Sequence, residues 1–171
     1  AALVPLAEDP SLRVLVLGAK GKHFSAGADV AEHLPPTYEA MIPEFLATIE
    51  ALRDFPVPVV AAVRGRCLGG GFELVLAADL VVAGEGSSFG QPEILLGVIA
   101  PAASALLPEI CGSARAAEIL YTGDAVTAAQ AHAMGLVVRV APDERVDEEA
   151  LALAGRIARH SAAALRVAKR A

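Results

Sequence analysis

Short runs of apolar, mostly β-branched residues recur in the first half of the chain and alternate with a segment of helical periodicity. The runs Arg13–Gly18, Val57–Val63 and Leu80–Ala83 are continuous rather than alternating, which predicts buried strands. Between the first two runs, apolar residues return at steps of three and four and predict a helix over Thr37–Phe55. A strand followed by a helix and a second strand is typical of a parallel sheet.

The second half of the chain is mainly helical in pattern. Gly65–Gly71 is interpreted as a tight turn and Leu136–Val140 as a last strand, while Thr127 is a typical helix N-cap. The predicted helices are Phe72–Ala78, Pro101–Ile110, Ala114–Tyr121, Thr127–Met134, Val146–Arg159 and Ala162–Arg170. Strands that alternate with helices predict an α/β fold with a largely parallel sheet.

The composition fits one folded domain. With 171 residues, of which 55% are hydrophobic and 20% charged, the chain is too apolar to be disordered and has the length of a single domain. The longest uncharged run, Ile94–Pro108, is shorter than a membrane-spanning helix and is interrupted by glycine and proline, so we predict no membrane span. A net charge of −6 argues against a nucleic-acid-binding surface.

Cysteine and histidine usage predicts neither a disulfide framework nor a metal site. Cys67 and Cys111 lie in apolar or Gly-rich surroundings, and the four histidines are scattered without HExxH or CxxC spacing. The N-terminus has neither a basic region nor a long apolar core, so we predict no signal peptide. We therefore expect free thiols, no metal and a cytoplasmic protein.

The most informative stretch is Val59–Asp79, in which a buried strand runs into three consecutive glycines and then a helix. Glycine lets a ligand approach the backbone closely, and the first turn of a helix carries N–H donors without intrahelical partners. Glu73 lies in this first turn, either as a surface residue favoured by the helix dipole or as a group directed at a ligand. The stretch matches neither the P-loop nor the dinucleotide GxGxxG pattern.

Two further stretches also follow strands. In Lys22–Val30, the small residues Ser25–Ala28 would let a ligand lie against the backbone, with an ordinary strand-to-helix turn as the alternative. In Ser87–Gly97, Glu93 precedes the apolar run Ile94–Leu96. We expect this run to desolvate the carboxylate and to suit it to proton transfer near neutral pH, with a solvated loop glutamate as the alternative.

Together these motifs resemble those of the crotonase family, also called the enoyl-CoA hydratase/isomerase superfamily. They are F-S-A-G-A-D after one strand, G-G-G-F-E after the next, and F-G-Q-P-E, which ends twenty residues beyond Glu73. The resemblance implies a ββα spiral core over residues 1–140 and C-terminal helices of the same domain over residues 141–171. The segments HFSAGADVAEHLPP, RGRCLGGGFE and FGQPEILLGVIAPAASALLP are more similar to the family's cyclohexa-1,5-diene-1-carbonyl-CoA hydratases than to its fatty-acid enzymes.

The resemblance also implies roles for individual residues. In the family two backbone N–H groups form an oxyanion hole for a thioester carbonyl, and they correspond here to Ala28 and Gly70. The catalytic glutamates of its hydratases correspond to Glu73 and Glu93. The pair implies addition of water across the α,β double bond of an enoyl-CoA, with Glu73 chiefly the base and Glu93 chiefly the proton donor, although paired carboxylates titrate as a unit. An enoyl-CoA isomerase, which can work with one glutamate, is the near alternative.

Binding of an acyl-CoA substrate is implied for the loops around the two amides. Lys20, Lys22 and Arg64 are candidates for the CoA phosphates by position only, and Asp29 has capping of the next helix as an alternative role. The resemblance implies no cofactor besides the CoA of the substrate, and a homotrimer or a hexamer built as a dimer of trimers. The substrate-binding residues that it implies are Ala26, Ala28, Asp29, Val30, Leu68, Gly70, Pro92 and Glu93.

Two departures from the family pattern leave alternatives open. Ala102 and Ala103 stand where common hydratases carry glycines, so we expect an unusual acyl group. The family's opening strands before Arg13 are missing and the C-terminal tail is short, so either parts are absent from this sequence or the chain is a shortened, catalytically weak paralogue that binds CoA esters. A serine hydrolase is disfavoured because no GxSxG occurs and Ser25 and Ser104 have no evident His–Asp partners.

Overall fold

The computed structural model describes residues 3–27, 29 and 36–171. The strands are β1 (Leu15–Gly18), β2 (Val59–Val63), β3 (Arg66–Leu68), β4 (Leu80–Gly84), β5 (Ser88–Gly90), β6 (Val126–Thr127) and β7 (Arg139–Ala141). The helices are α1 (Leu3–Glu8), α2 (Tyr38–Arg53), α3 (Gly70–Leu76), α4 (Pro101–Cys111), α5 (Ser113–Thr122), α6 (Ala128–Ala133), α7 (Val146–Ile157) and α8 (Ala162–Arg170). Short 3-10 turns cover Pro92–Leu96 and Asp143–Arg145.

The main sheet is parallel and has the order β1-β2-β4-β7, which confirms the predicted α/β class and the parallel sheet. Strand β2 is buried along its whole length because helices cover both faces of the sheet. Helices α2, α3, α4 and α5 pack on one face and α7 on the other. The continuous apolar run in β2 follows from this burial on both sides.

A second sheet has the order β3-β5-β6, and the sequence analysis missed it. The segment Gly65–Gly71 is not only a turn, because its residues Arg66–Leu68 form β3 and pair in parallel with β5. The chain therefore repeats one unit: β2, β3 and α3 are followed by β4, β5 and the turn Pro92–Leu96. This order of two strands and a helical segment matches the ββα spiral that the resemblance implied.

The predicted helices are all present, with ends shifted by a few residues. In α2 the expected apolar stripe faces the core, where Ile49 and Leu52 are buried. Thr127 caps α6, with its hydroxyl accepting from the Gln130 N–H and the Gln130 side chain accepting in return from the Thr127 N–H. The last strand begins at Arg139 rather than Leu136, because the preceding residues close the turn after α6.

The parallel sheet fixes where the candidate site lies. The carboxyl ends of neighbouring parallel strands meet at the same edge, and β1 and β2 pair from Leu15 with Val59 to Gly18 with Ala62. The loop after β1 and the segment after β2 therefore start side by side. Among the described residues, no helix is long and apolar enough to cross a membrane.

Candidate active site

The two Gly-containing segments that follow β1 and β2 lie against each other. The Ser25 N–H donates to the Arg66 carbonyl at 3.1 Å, and the Leu68 N–H donates to the Ser25 carbonyl at 3.0 Å. A Cβ atom placed on Gly27 would lie 3.9 Å from the Gly70 nitrogen. The structure thus brings the end of the F-S-A-G motif next to the first turn of α3, where N–H groups lack intrahelical acceptors.

Gly69 joins this turn to the third motif. It has a positive φ of +56°, and its N–H donates to the Gly90 carbonyl at 2.9 Å. A Cβ atom at Gly69 would lie 2.6 Å from Oε1 of Glu93, so a larger residue at this position would displace that carboxylate from where it lies. The start of α3 is therefore in contact with the Glu93 side chain.

Glu73 is buried, not a surface residue as its alternative interpretation had it. Its exposure is 4%, and its Oε1 accepts a hydrogen bond from the Ala103 N–H at 2.9 Å. Burial raises the pKa of this carboxyl, while the backbone N–H groups of Ala103 and Ala102 act in the opposite direction. The carboxyl thus sits at the first turn of α4, where free N–H donors replace part of the lost solvation.

Glu93 is half-buried in the turn Pro92–Leu96, but not for the expected reason. The apolar run that follows it is 40–70% exposed and does not desolvate the carboxylate. Instead, Glu93 lies against Gly69 and against Gln91, which is only 1% exposed. With the Gln91 amide nitrogen turned towards Glu93, it donates to Oε2 at 2.8 Å and to Oε1 at 3.3 Å.

A cavity of about 300 Å³ opens beside Glu93. Its walls combine the turn Pro92–Leu96, the start of α4 and the inner side of α5. Among the described residues, Glu93 lines this cavity and Glu73 does not. Ala100 and Ser104 face the cavity, whereas the Ala103 N–H faces Glu73. The first turn of α4 therefore contacts both the cavity and the buried carboxyl.

The structure describes most, but not all, of the other residues that were predicted to bind the substrate. Ala28 and Val30 lie outside the described residues. Ala26 and Asp29 are exposed beside Gly27, and Gly70 is buried. Those that are half-buried are Leu68 and Pro92.

The candidates for the CoA phosphates are also separated by the structure. Arg64 is half-buried and ion-paired with Asp147 at 2.6 Å, and it also donates to the Ala19 carbonyl at 3.4 Å. Lys20 and Lys22 are exposed. Arg64 is thus already engaged within the fold, whereas the two lysines extend from the loop after β1.

Two serines that were weighed as nucleophiles have structural partners. The Ser25 hydroxyl accepts from the Gly27 N–H at 3.2 Å, and the Ser104 hydroxyl donates to the Ala100 carbonyl at 2.7 Å. Cys67 is buried, which raises its thiol pKa, and Cys111 is half-buried. Across the described ranges no three His, Cys, Asp or Glu side chains cluster in a way that could hold a metal ion.

Sequence reasoning missed three contributors to this arrangement. Gln91 was quoted within a motif, but its amide gained a role only through the contact with Glu93. Ala103 was noted for the space it occupies, whereas the structure uses its backbone N–H. Gly69 was one of three equivalent glycines, and its positive φ distinguishes it. For Gly69, the only signal in the sequence was its position as a glycine between a buried strand and the start of a helix.

Comparison with known proteins gives concordant results. The family model described as enoyl-CoA hydratase/isomerase matches residues 1–171. The chain is 45% identical over 165 residues to the cyclohexa-1,5-dienecarbonyl-CoA hydratase of Thauera aromatica, covering 95% of this chain and 62% of that protein. It is 41% identical over 170 residues to the 2,3-dehydroadipyl-CoA hydratase of Escherichia coli strain K12, covering 96% and 66%.

A solved structure agrees closely with the fold. The crystal structure of an enoyl-CoA hydratase from Bacillus anthracis superimposes with a TM-score of 0.95 at 36% sequence identity, covering 99% of this chain and 67% of that one. The chain thus spans about two thirds of the length of the relatives that it matches.

Proposed function

This chain belongs to the enoyl-CoA hydratase/isomerase family, and from that premise we propose that it carries the active site of an enoyl-CoA hydratase, a carbon–oxygen lyase. The observation that supports the proposal most directly is the surroundings of the α3 first turn. That turn adjoins Gly27 on one side and the Glu93 carboxylate on the other, and Glu73 lies within it. An enoyl thioester needs all of these groups around one carbonyl and its adjacent carbons.

In the proposed reaction, the backbone N–H groups of Ala28 and Gly70 hold the thioester oxygen while negative charge develops on it. Loss of one such donor typically costs about 2.7–4 kcal/mol of transition-state stabilisation. One carboxyl takes a proton from water as its oxygen attacks the β-carbon, and the other delivers a proton to the α-carbon. General acid–base catalysis of this kind contributes about 10²–10⁴-fold per group.

The pair must hold one proton for this chemistry. Burial raises the pKa of Glu73 and so favours its protonated form, and the Gln91 amide nitrogen, when turned towards Glu93, donates to Oε2 of that carboxylate at 2.8 Å. The division implied by the resemblance, with Glu73 chiefly the base and Glu93 chiefly the proton donor, stays a prediction. We propose that Glu73 and Glu93 act as one unit with a shared proton, because paired carboxylates titrate together.

The proposed substrate is an acyl-CoA, and its acyl group is short or cyclic. The cavity beside Glu93 measures about 300 Å³ and has α5 along one wall, and this volume suits a compact group better than a long chain. The identity with a relative named cyclohexa-1,5-dienecarbonyl-CoA hydratase supports a cyclic dienoyl thioester. The proposed binding residues remain Ala26, Ala28, Asp29, Val30, Leu68, Gly70, Pro92 and Glu93.

We also propose that the protein is a homotrimer or a dimer of trimers in the cytoplasm. Exposed apolar side chains next to the cavity support the association: Leu95, Leu96, Ile99 and Tyr121 are each 67–77% exposed. The two cysteines are free in the described fold, which is consistent with a reducing compartment.

The experiment that tests the function follows the ultraviolet absorbance of the conjugated thioester. Crotonyl-CoA and a cyclic dienoyl-CoA are each incubated with the protein, with Glu93→Gln and with Glu109→Gln. Glu109 is an exposed glutamate on α4 and serves as the matched control. We expect absorbance to fall with the parent and with the control, and about 10²–10⁴-fold more slowly with Glu93→Gln.

The outcomes separate the competing functions. Turnover of the cyclic substrate alone supports the dienoyl-CoA hydratase. Binding of both thioesters without turnover supports a catalytically weak CoA-ester-binding paralogue and rejects the hydratase. Equal turnover by the parent and Glu93→Gln would remove Glu93 from the catalytic pair.

A further inference from the structure

The loop that follows β1 pairs with strand β3 through backbone hydrogen bonds, and one N–H group of β3 has no backbone carbonyl as its acceptor in this pairing. Ser25 forms a parallel bridge with Cys67: its N–H donates to the Arg66 carbonyl and its carbonyl accepts from the Leu68 N–H. The Arg66 N–H points to the same side as that of Leu68, since alternate residues of a strand share a direction. It donates to Nδ1 of His23 at 3.1 Å. The imidazole thus occupies the place of the next acceptor in the ladder.

The backbone around His23 is shaped to admit the ring. Gly65 has a φ of +60°, and a Cβ atom there would lie 2.5 Å from both His23 Nδ1 and the Lys22 carbonyl oxygen. The neighbouring Phe24 N–H donates to the Arg64 carbonyl at 2.8 Å. The contact therefore continues the backbone pairing of the two segments towards their beginning.

This hydrogen bond also fixes the tautomer of His23. Because Nδ1 accepts the Arg66 N–H, it carries no proton, and the neutral ring carries its proton on Nε2. The Arg66 N–H therefore requires, at position 23, a hydrogen-bond acceptor that is bonded to Cγ. Asparagine offers such an atom in Oδ1, and leucine offers none.

We propose that His23 is a positioning residue that fixes the spacing between the loop carrying Gly27 and the segment carrying Gly70. His23 lies five residues before Ala28, and Arg66 lies four residues before Gly70, so the imidazole joins the two segments shortly before each of the two amides. The role in catalysis rests on the proposed function, in which the amides of Ala28 and Gly70 hold one thioester oxygen. A rigid pair of donors stabilises that oxygen better than a mobile pair.

The test compares three variants of the whole protein. His23→Leu removes the acceptor, His23→Asn replaces it, and His160→Leu removes an exposed histidine between α7 and α8. Loss of one hydrogen bond predicts a kcat about three- to tenfold lower for His23→Leu with KM nearly unchanged. We expect His23→Asn and His160→Leu to stay within about twofold of the parent, because both keep a side-chain acceptor at position 23 that ties the loop to the Arg66 N–H.

A second measurement does not depend on turnover. We expect amide hydrogen exchange to become faster at Arg66 and Leu68 in His23→Leu and to return to the parent rate in His23→Asn. If the parent hydrates no thioester but exchange changes in this way, the proposed function fails and the spacing role of His23 stands. If the parent is active and His23→Leu matches it in kcat or in exchange, the proposal is wrong.

Discussion

At the scale of single residues, Glu73 on α3 is an ionisable group whose side chain is buried. Burial raises its pKa above the ordinary value of 4.5, so the folded chain binds this proton more tightly than the unfolded chain does. Stability therefore falls as the pH rises from 4.5 through the folded-state pKa and is level above it. A Glu73→Gln variant keeps an oxygen to accept from Ala103 but cannot ionise. We expect its stability relative to the parent to increase with pH over that window.

Urea unfolding at a series of pH values from about 4 to 9 measures this difference directly. Glu109→Gln is the control, since it makes the same exchange at an exposed glutamate of α4. A Glu73→Gln difference from the parent that stays constant with pH would show that the buried carboxyl titrates in the folded chain as it does in the unfolded one.

At the scale of secondary-structure elements, Gly69 precedes the first residue of α3 and lies against the Glu93 carboxylate. Substitution by alanine places a Cβ at a φ of +56° and 2.6 Å from the Glu93 carboxylate. Gly112 at the end of α4 has a φ of +78° with no atom within 4 Å of its Cβ position, so Gly112→Ala carries the strain without the contact. Because ψ is −134° at Gly69 and 157° at Gly112, both lie in backbone regions that residues with a Cβ rarely adopt, and we expect both variants to lose about 1–3 kcal/mol of stability. Only Gly69→Ala should also lose hydration activity.

Chemical denaturation and the thioester assay, applied to the same two preparations, give both quantities. Comparable turnover by Gly69→Ala and Gly112→Ala, at protein concentrations corrected for unfolded material, would mean that the carboxylate can move away from the new methyl group without loss of function.

The elements also show what could be read from the sequence. Strands β1, β2 and β4 were predicted because each contains a continuous apolar run that requires no knowledge of its partner. Strand β1 was expected to be buried, but it lies at the edge of the sheet and is only half-buried. Strands β3 and β5 were missed, since each has three residues and is stabilised by pairing with the other rather than by its own composition. At the site, Glu73 and Glu93 followed from motifs. Their hydrogen-bond partners did not, because Ala103 reaches Glu73 only through the packing of α4 on α3.

At the scale of the whole molecule, the surface beside the cavity is unusually apolar. Leu95, Leu96 and Ile99 are 67–74% exposed, and Tyr121 on α5 is 77% exposed. Ile99 and Tyr121 line the same cavity, and Leu95 and Leu96 belong to the turn Pro92–Leu96 that forms one of its walls. Contiguous apolar surface of this kind marks a contact between proteins. The proposed trimer would bury it.

Substitution of one side chain in this surface tests the association. Leu96→Glu places a charge where the trimer would exclude water, and we expect sedimentation equilibrium to show the mass of one chain in place of three. Leu151 on α7 is 61% exposed and lies outside the surface, so Leu151→Glu should leave the assembly intact. Because both variants exchange an exposed leucine for a glutamate, loss of stability alone would affect them alike. A parent that sediments as a single chain would remove the trimer from the proposal, and a Leu96→Glu variant that assembles like the parent would place the contact on another face of the molecule.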